Sequence, residues 1–164
     1  ASYVLQVYDG AGGLWVNPAF FIPGIEDRAA PKIEQLVLVD HDKKELSIEP
    51  GKKGTANRIP QGRYSLAVRV FDPETKTISK SGIFSFKAIL DGQVTLDRKL
   101  DSARSTDKGL AFLGMNSPSS SLIDSEGRIL LGENFIPRGT HSLEFFVSDF
   151  AGNVSSLIWK FTSD

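Results

Sequence analysis

The sequence predicts an all-β chain folded as an antiparallel sandwich. Three observations carry that prediction. Apolar residues recur with a period of two rather than 3.6 over most of the chain. The runs are short and recur roughly every 10 to 20 residues. Gly, Pro, Asn and Asp separate them, and no long amphipathic helix pattern is present.

The elements follow in chain order. Tyr3–Tyr8 reads as a weak strand, and Gly10–Gly13 as a flexible turn. That turn lacks the Lys-Ser/Thr of a phosphate loop, and no helix follows it. Asn17-Pro18 and Pro23-Gly24 break the chain, and the polar run Glu26–Pro31 closes on a proline that holds the preceding residue extended. Residues 1–29 are therefore one unit and residues 30–164 another. Ile33–Val39 is a strand whose second half, Leu36–Val39, is apolar on both faces and so central. Asp40–Glu45 is a charged hairpin tip, and Leu46–Ile48 returns from it.

Arg63–Asp72 alternates, with Tyr64, Leu66, Val68 and Val70 on one face. Gly82–Leu90 places Phe84, Phe86, Ala88 and Leu90 on one face. Asp91-Gly92 follows and then Val94 and Leu96, a hairpin signal because both turn positions favour positive φ. Lys99–Ser105 has room for one short helical turn, Leu110–Leu113 for a strand, and Ser117–Ser121 is a polar loop. Arg128–Leu131 is a further weak strand. Thr140–Asp149 and Val154–Thr162 pair as the last hairpin across Asp149-Phe150-Ala151-Gly152-Asn153, with Trp159 in the core. Most of the eleven phenylalanines, Phe20 and Phe21 included, are assigned to inward faces. Phe71 and Phe146 fall on the outward parity and, with Trp15, are the candidate surface contacts.

Composition narrows the function classes. The chain has 164 residues, and its 19 basic against 20 acidic side chains leave a net charge of −1, so no basic nucleic-acid or membrane-surface footprint is expected. No apolar run reaches the 18 or so residues of a membrane-spanning helix. Without cysteine there is no disulfide, thiolate zinc site or cysteine nucleophile.

Candidate chemistry is sparse. His41 and His141 are the two histidines, too few for a zinc site without carboxylate help. His41 in Asp40-His41-Asp42 has a metal-binding look, but a solvated tip explains it; His141 reads as a hydrogen-bonded histidine at the core edge. There is no Gly-x-Ser-x-Gly elbow, and Asp97 and Asp101 are glycosidase candidates only by being acidic. Asp149 and Asn153 offer oxygens to calcium, although capping of turn amides accounts for them. Asn153-Val154-Ser155 fits a glycosylation sequon, a weak three-residue match.

The opening Ser2-Tyr3-Val4-Leu5-Gln6-Val7-Tyr8-Asp9, followed by Val16-Asn17-Pro18, resembles the end of a lysostaphin-type (LytM-like) zinc endopeptidase domain. That family closes its catalytic sheet with His-Leu-His-Phe-Glu-Val-Arg-Asp, a turn and Val-Asn-Pro. Here Val7, Asp9 and Val16-Asn17-Pro18 match, whereas the two histidine places hold Ser2 and Val4. In the family one of those histidines binds zinc and the other acts on substrate or water. The proline-marked linker, the Asp91-Gly92 hairpin and the Asp149–Asn153 turn are similar to a bacterial immunoglobulin-like sandwich of the kind that follows such a domain in some envelope proteins.

The resemblance implies an immunoglobulin-like sandwich over residues 30–164, preceded by the strand and turn of a degenerate peptidase-like domain. It further implies a pseudoenzyme without catalytic residues, metal or cofactor: a non-catalytic interaction or structural module near peptidoglycan. Its partner would be a cell-wall or envelope protein, and its place the periplasm or the cell exterior. Two alternatives are an accessory domain of an active zinc endopeptidase and a carbohydrate-binding sandwich. The latter needs exposed Trp or Tyr in a flat row, and only Trp15 and Trp159 are available as tryptophans.

Overall fold

The computed structural model describes residues 6–21, 27–51, 57–73, 83–113 and 122–164. Thirteen strands run in order among the described residues: β1 Val7–Asp9, β2 Leu14–Val16, β3 Lys32–Val39, β4 Glu45–Ile48, β5 Arg58–Ile59, β6 Gly62–Phe71, β7 Ile83–Leu90, β8 Gln93–Lys99, β9 Ser102–Thr106, β10 Gly109–Phe112, β11 Ile129–Ile136, β12 Gly139–Asp149 and β13 Val154–Ser163. The described residues contain no α-helix, and a 3₁₀ turn spans Pro18–Phe21. Among the described residues no helix is long and apolar enough to cross a membrane.

Two sheets form the sandwich. One has the order β11-β6-β3-β4 and the other β5-β13-β12-β7-β8. β6 lies between β3 and β11, and β12 between β7 and β13. The alternation read from the sequence faces the sheets inward. Leu36, Leu38, Leu66 and Val68 meet Phe86, Leu143, Phe145 and Trp159, each 2% exposed or less. The fully buried Trp159 lies opposite Leu143 on β12. Burying such side chains drives the two sheets together.

The hairpins follow their turn residues. Asp91 and Gly92 adopt φ of 50° and 81°, the left-handed geometry a two-residue turn requires. In the last hairpin the ladder runs to Ser148 opposite Val154. There the Asn153 N–H donates to Asp149 Oδ1 at 2.8 Å, and Gly152 takes a φ of 92°.

A third sheet departs from the expectations. Its order is β1-β2-β9-β10, two hairpins joined where Trp15 opposes Ala103 and Val16 opposes Ser102. Lys99–Ser105 is accordingly not a helical turn: it holds the end of β8 and most of β9. A segment this short takes its structure from partners on both sides rather than from its own propensity. Phe20 and Phe21 are also corrected from inward to exposed, at 50% and 58%. Phe20 nevertheless meets the Phe84 and Phe150 rings edge-on, with centroids 5.8 and 5.0 Å away.

Candidate functional site

Residues 1–5 lie outside the described residues, and with them Ser2 and Val4, the positions where the resemblance would place two histidines. The matching Asn17 is present and has a clear task. Its backbone N–H donates to the Asp101 carbonyl at 2.7 Å and its Nδ2 to the Leu100 carbonyl at 3.1 Å. Together with the β2–β9 pairing, these bonds tie the first described segment to the β8–β9 connection.

Trp15 is half-buried in that same seam. Its Nε1 donates to Ser105 Oγ at 3.1 Å, and its ring lies 5.0 Å from Tyr8 at an interplanar angle of 52°. The two rings therefore do not form a flat platform. Phe71, at the end of β6, is half-buried and covered by Lys32, whose Nζ sits 5.6 Å from the ring centroid. Of the three aromatic candidates, Phe146 is the one that faces outward from the middle of a sheet.

The register explains the surroundings of Phe146. It pairs with Lys87 on β7 and Ser156 on β13. Val154 and Ile158 flank Ser156 on the same face, and Ile89 lies diagonally across on β7, beside Val94. Val94, Val154 and Ile158 are 55%, 65% and 48% exposed. Lys87, Asp97, Ser85 and Ser148 line a shallow depression around the ring. An aromatic centre with a polar rim is the anatomy of a protein-contact surface.

The remaining candidates separate into structural roles. His41 is exposed, and Asp40 Oδ1 accepts the Asp42 and Lys44 N–H groups, both at 2.9 Å, so this tip is capped by its own acid. His141 is 5% exposed. Its Nδ1 lies 2.7 Å from Asp91 Oδ2 and its Nε2 2.7 Å from the Pro137 carbonyl oxygen, which staples β12 to the β7–β8 turn. Asp97 sits 3.7 Å from Lys87, and Asp101 accepts from Ser102 Oγ, so the two acids serve separate neighbours.

Sequence reasoning missed one constellation. Carboxylate oxygens of Asp27, Asp72 and Asp149 converge within 4.8 Å of one another at one end of the sandwich. Asp72 and Asp149 are each 1% exposed. Asn153 Nδ2 links the group, donating to Asp149 Oδ2 at 2.8 Å and to the Asp27 carbonyl at 3.0 Å. Asp27 Oδ1 also accepts the Ala29 N–H at 2.9 Å. An all-oxygen set of this kind has the chemistry of calcium ligands and none of the nitrogen or sulfur of a typical zinc site. Asp149 stood among the candidates, but Asp27 and Asp72 belong to a linker and a strand end. Only the packing of those ends brings the three together.

A second buried polar group also escaped notice. Arg128 is 7% exposed. Its Nε donates to Asp124 Oδ2 at 2.6 Å and its Nη1 to Glu45 Oε1 at 2.8 Å. Burial pushes the Asp124 carboxyl upward, but the Arg128 N–H and guanidinium, with the Glu126 N–H, outweigh it and hold the group below its usual range.

Residues 30–164 match the model of an uncharacterised protein family, and the chain belongs to that family. No curated protein matches the chain.

Proposed function

We propose that the chain is a non-catalytic interaction and structural module of a bacterial cell-envelope protein, a sandwich attached to the end of a degenerate lysostaphin-type peptidase domain. The carrying observation is the shared sheet. β2, which precedes the Asn17-Pro18 break, pairs with β9, the strand that follows β8 of the sandwich, and Asn17 bonds both Leu100 and Asp101 between those two strands. A segment joined by a strand ladder and side-chain bonds is held at a set angle, whereas a flexible linker leaves neighbouring domains free to reorient. Such coupling suits a spacer or docking module.

In this reading the contact element is the outer face around Phe146, carried on a rigid sheet. The catalytic role is vacant, because Ser2 and Val4 stand where the resembled family has its two histidines. Valine has no donor atom, and a serine hydroxyl is a poor neutral ligand for zinc.

Three measurements on the purified chain test this. Metal analysis of protein prepared without chelator should find no stoichiometric zinc, and a peptidoglycan-release assay should find no chelator-sensitive activity. Co-sedimentation with envelope fractions should retain the wild type and lose Phe146→Glu at equal thermal stability. Chelator-sensitive release, or retention indifferent to Phe146, would overturn the reading.

A further inference from the structure

Among the described residues one seam of the sandwich is open. β8 is an edge of the five-stranded sheet and β11 an edge of the four-stranded one, and between them lies a cleft of about 350 Å³. Leu66, Leu96, Leu122 and Leu131 line it. Leu66, Leu122 and Leu131 are each 3% exposed or less and belong to the core, so the floor of the cleft is apolar. The volume falls at the small end of ligand pockets.

Arg98 also lines this cleft, and its position is unusual for a charge. It opposes Phe86 in register and so stands on the inward face of β8, the same face as Leu96. Its Nη1 donates to the Asp97 carbonyl at 2.7 Å. Its Nε is buried and has no acceptor among the described residues. The nearby acids are engaged elsewhere: Asp97 reaches Lys87 on the outer face, and Glu133 at the cleft mouth reaches Arg63 at 3.3 Å. A guanidinium donor removed from water with nothing to receive it carries an uncompensated desolvation cost. The Nε edge of a guanidinium is also one of its two-pronged grips on a carboxylate.

We propose that this seam is a binding site for a small carboxylate bearing an apolar chain. The chain would lie along the leucine floor between β8 and β11, and the carboxylate would take the Nε edge of Arg98. The apolar floor supplies the burial and the arginine fixes the direction of entry. This site is independent of the outer face around Phe146.

The test is an NMR titration of the full chain with sodium octanoate, and with octanamide as the neutral counterpart. Octanoate should shift the signals of Thr95, Leu96, Leu122 and Leu131 in a saturable way, and octanamide should bind about tenfold more weakly or worse. Arg98→Gln should erase that preference, and Arg98→Lys, which keeps the charge without the fork, should restore only part of it. Leu96→Trp should fill the cleft and abolish both responses while the protein stays folded. Equal responses to the two probes, shifts confined to other surfaces, or no saturable response at millimolar probe would overturn the site. So would an Arg98→Leu variant that melts higher and leaves the octanoate response unchanged. That result would assign Arg98 to guarding an edge strand against pairing with other chains.

Discussion

The sandwich, antiparallel apart from the short β5–β13 pair, and the antiparallel small third sheet are held by different forces. In the sandwich, two inward faces bury Leu36, Val68, Leu143, Phe145 and Trp159 to 0% exposure. In the small sheet the buried side chains are the alanines Ala103 and Ala111, while Tyr8 and Leu110 are 55% and 44% exposed. What places that sheet is strand pairing, the Asn17 bonds and the Trp15–Ser105 bond. The contrast teaches that apolar burial supplies most of the stability, whereas hydrogen bonds of modest net strength decide where a marginal element sits.

The sharpest way to break the contrast is Trp159→Ala. It should cost roughly 3–5 kcal/mol of global stability in chemical denaturation, the range for a large buried aromatic. Trp159→Phe should cost much less, because the buried Nε1 has no hydrogen-bond partner to lose among the described residues. A loss under about 1 kcal/mol for the alanine variant would mean that the core lies elsewhere.

Arg128→Leu should come next, at about 3 kcal/mol. It strands the Asp124 carboxylate beside the sandwich without its counter-ion. The Asp124–Arg128 pair also sets an acid limb. Because the folded-state carboxyl is held low, its contribution is complete above the unfolded carboxylate range near pH 4. It should fade as pH falls through that range and below it. Arg128→Leu should flatten this part of the stability profile, and an unchanged slope would show that the pair does not couple to folding.

In the small sheet, Trp15→Ala should cost about 1 kcal/mol or less globally. Hydrogen exchange should nevertheless quicken across β1, β2, β9 and β10 while the β12–β13 ladder stays protected. Uniform quickening would show that the sheet and the sandwich unfold as one unit. Phe146→Ser should be the smallest effect, within about 0.5 kcal/mol. A larger loss would mark Phe146 as a packing residue rather than a contact.

The alternation of Arg63–Asp72, Gly82–Leu90 and Thr140–Asp149 could be read directly, because a side chain's face in a strand depends only on its own parity. The Asp91-Gly92 turn was equally legible, since positive φ is a local preference of those residue types. Lys99–Ser105 was misread for the converse reason. Apart from Leu100 and Ala103 its residues are polar, and the strand state of Ser102–Ser105 is conferred by β2 and β10.

Parity and turn chemistry thus determined the sandwich, its hairpins and the burial of Trp159 from the sequence alone, as both act within a few residues. The meeting of Asp27, Asp72 and Asp149, the pairing of β2 with β9, and the seating of Arg98 above a leucine floor were decided by the tertiary structure. Each joins residues far apart in the chain, and polar side chains carry no periodic mark of which distant neighbour they will face. That choice is made only when the two sheets close and the energetic cost of burying a charge selects where it can remain.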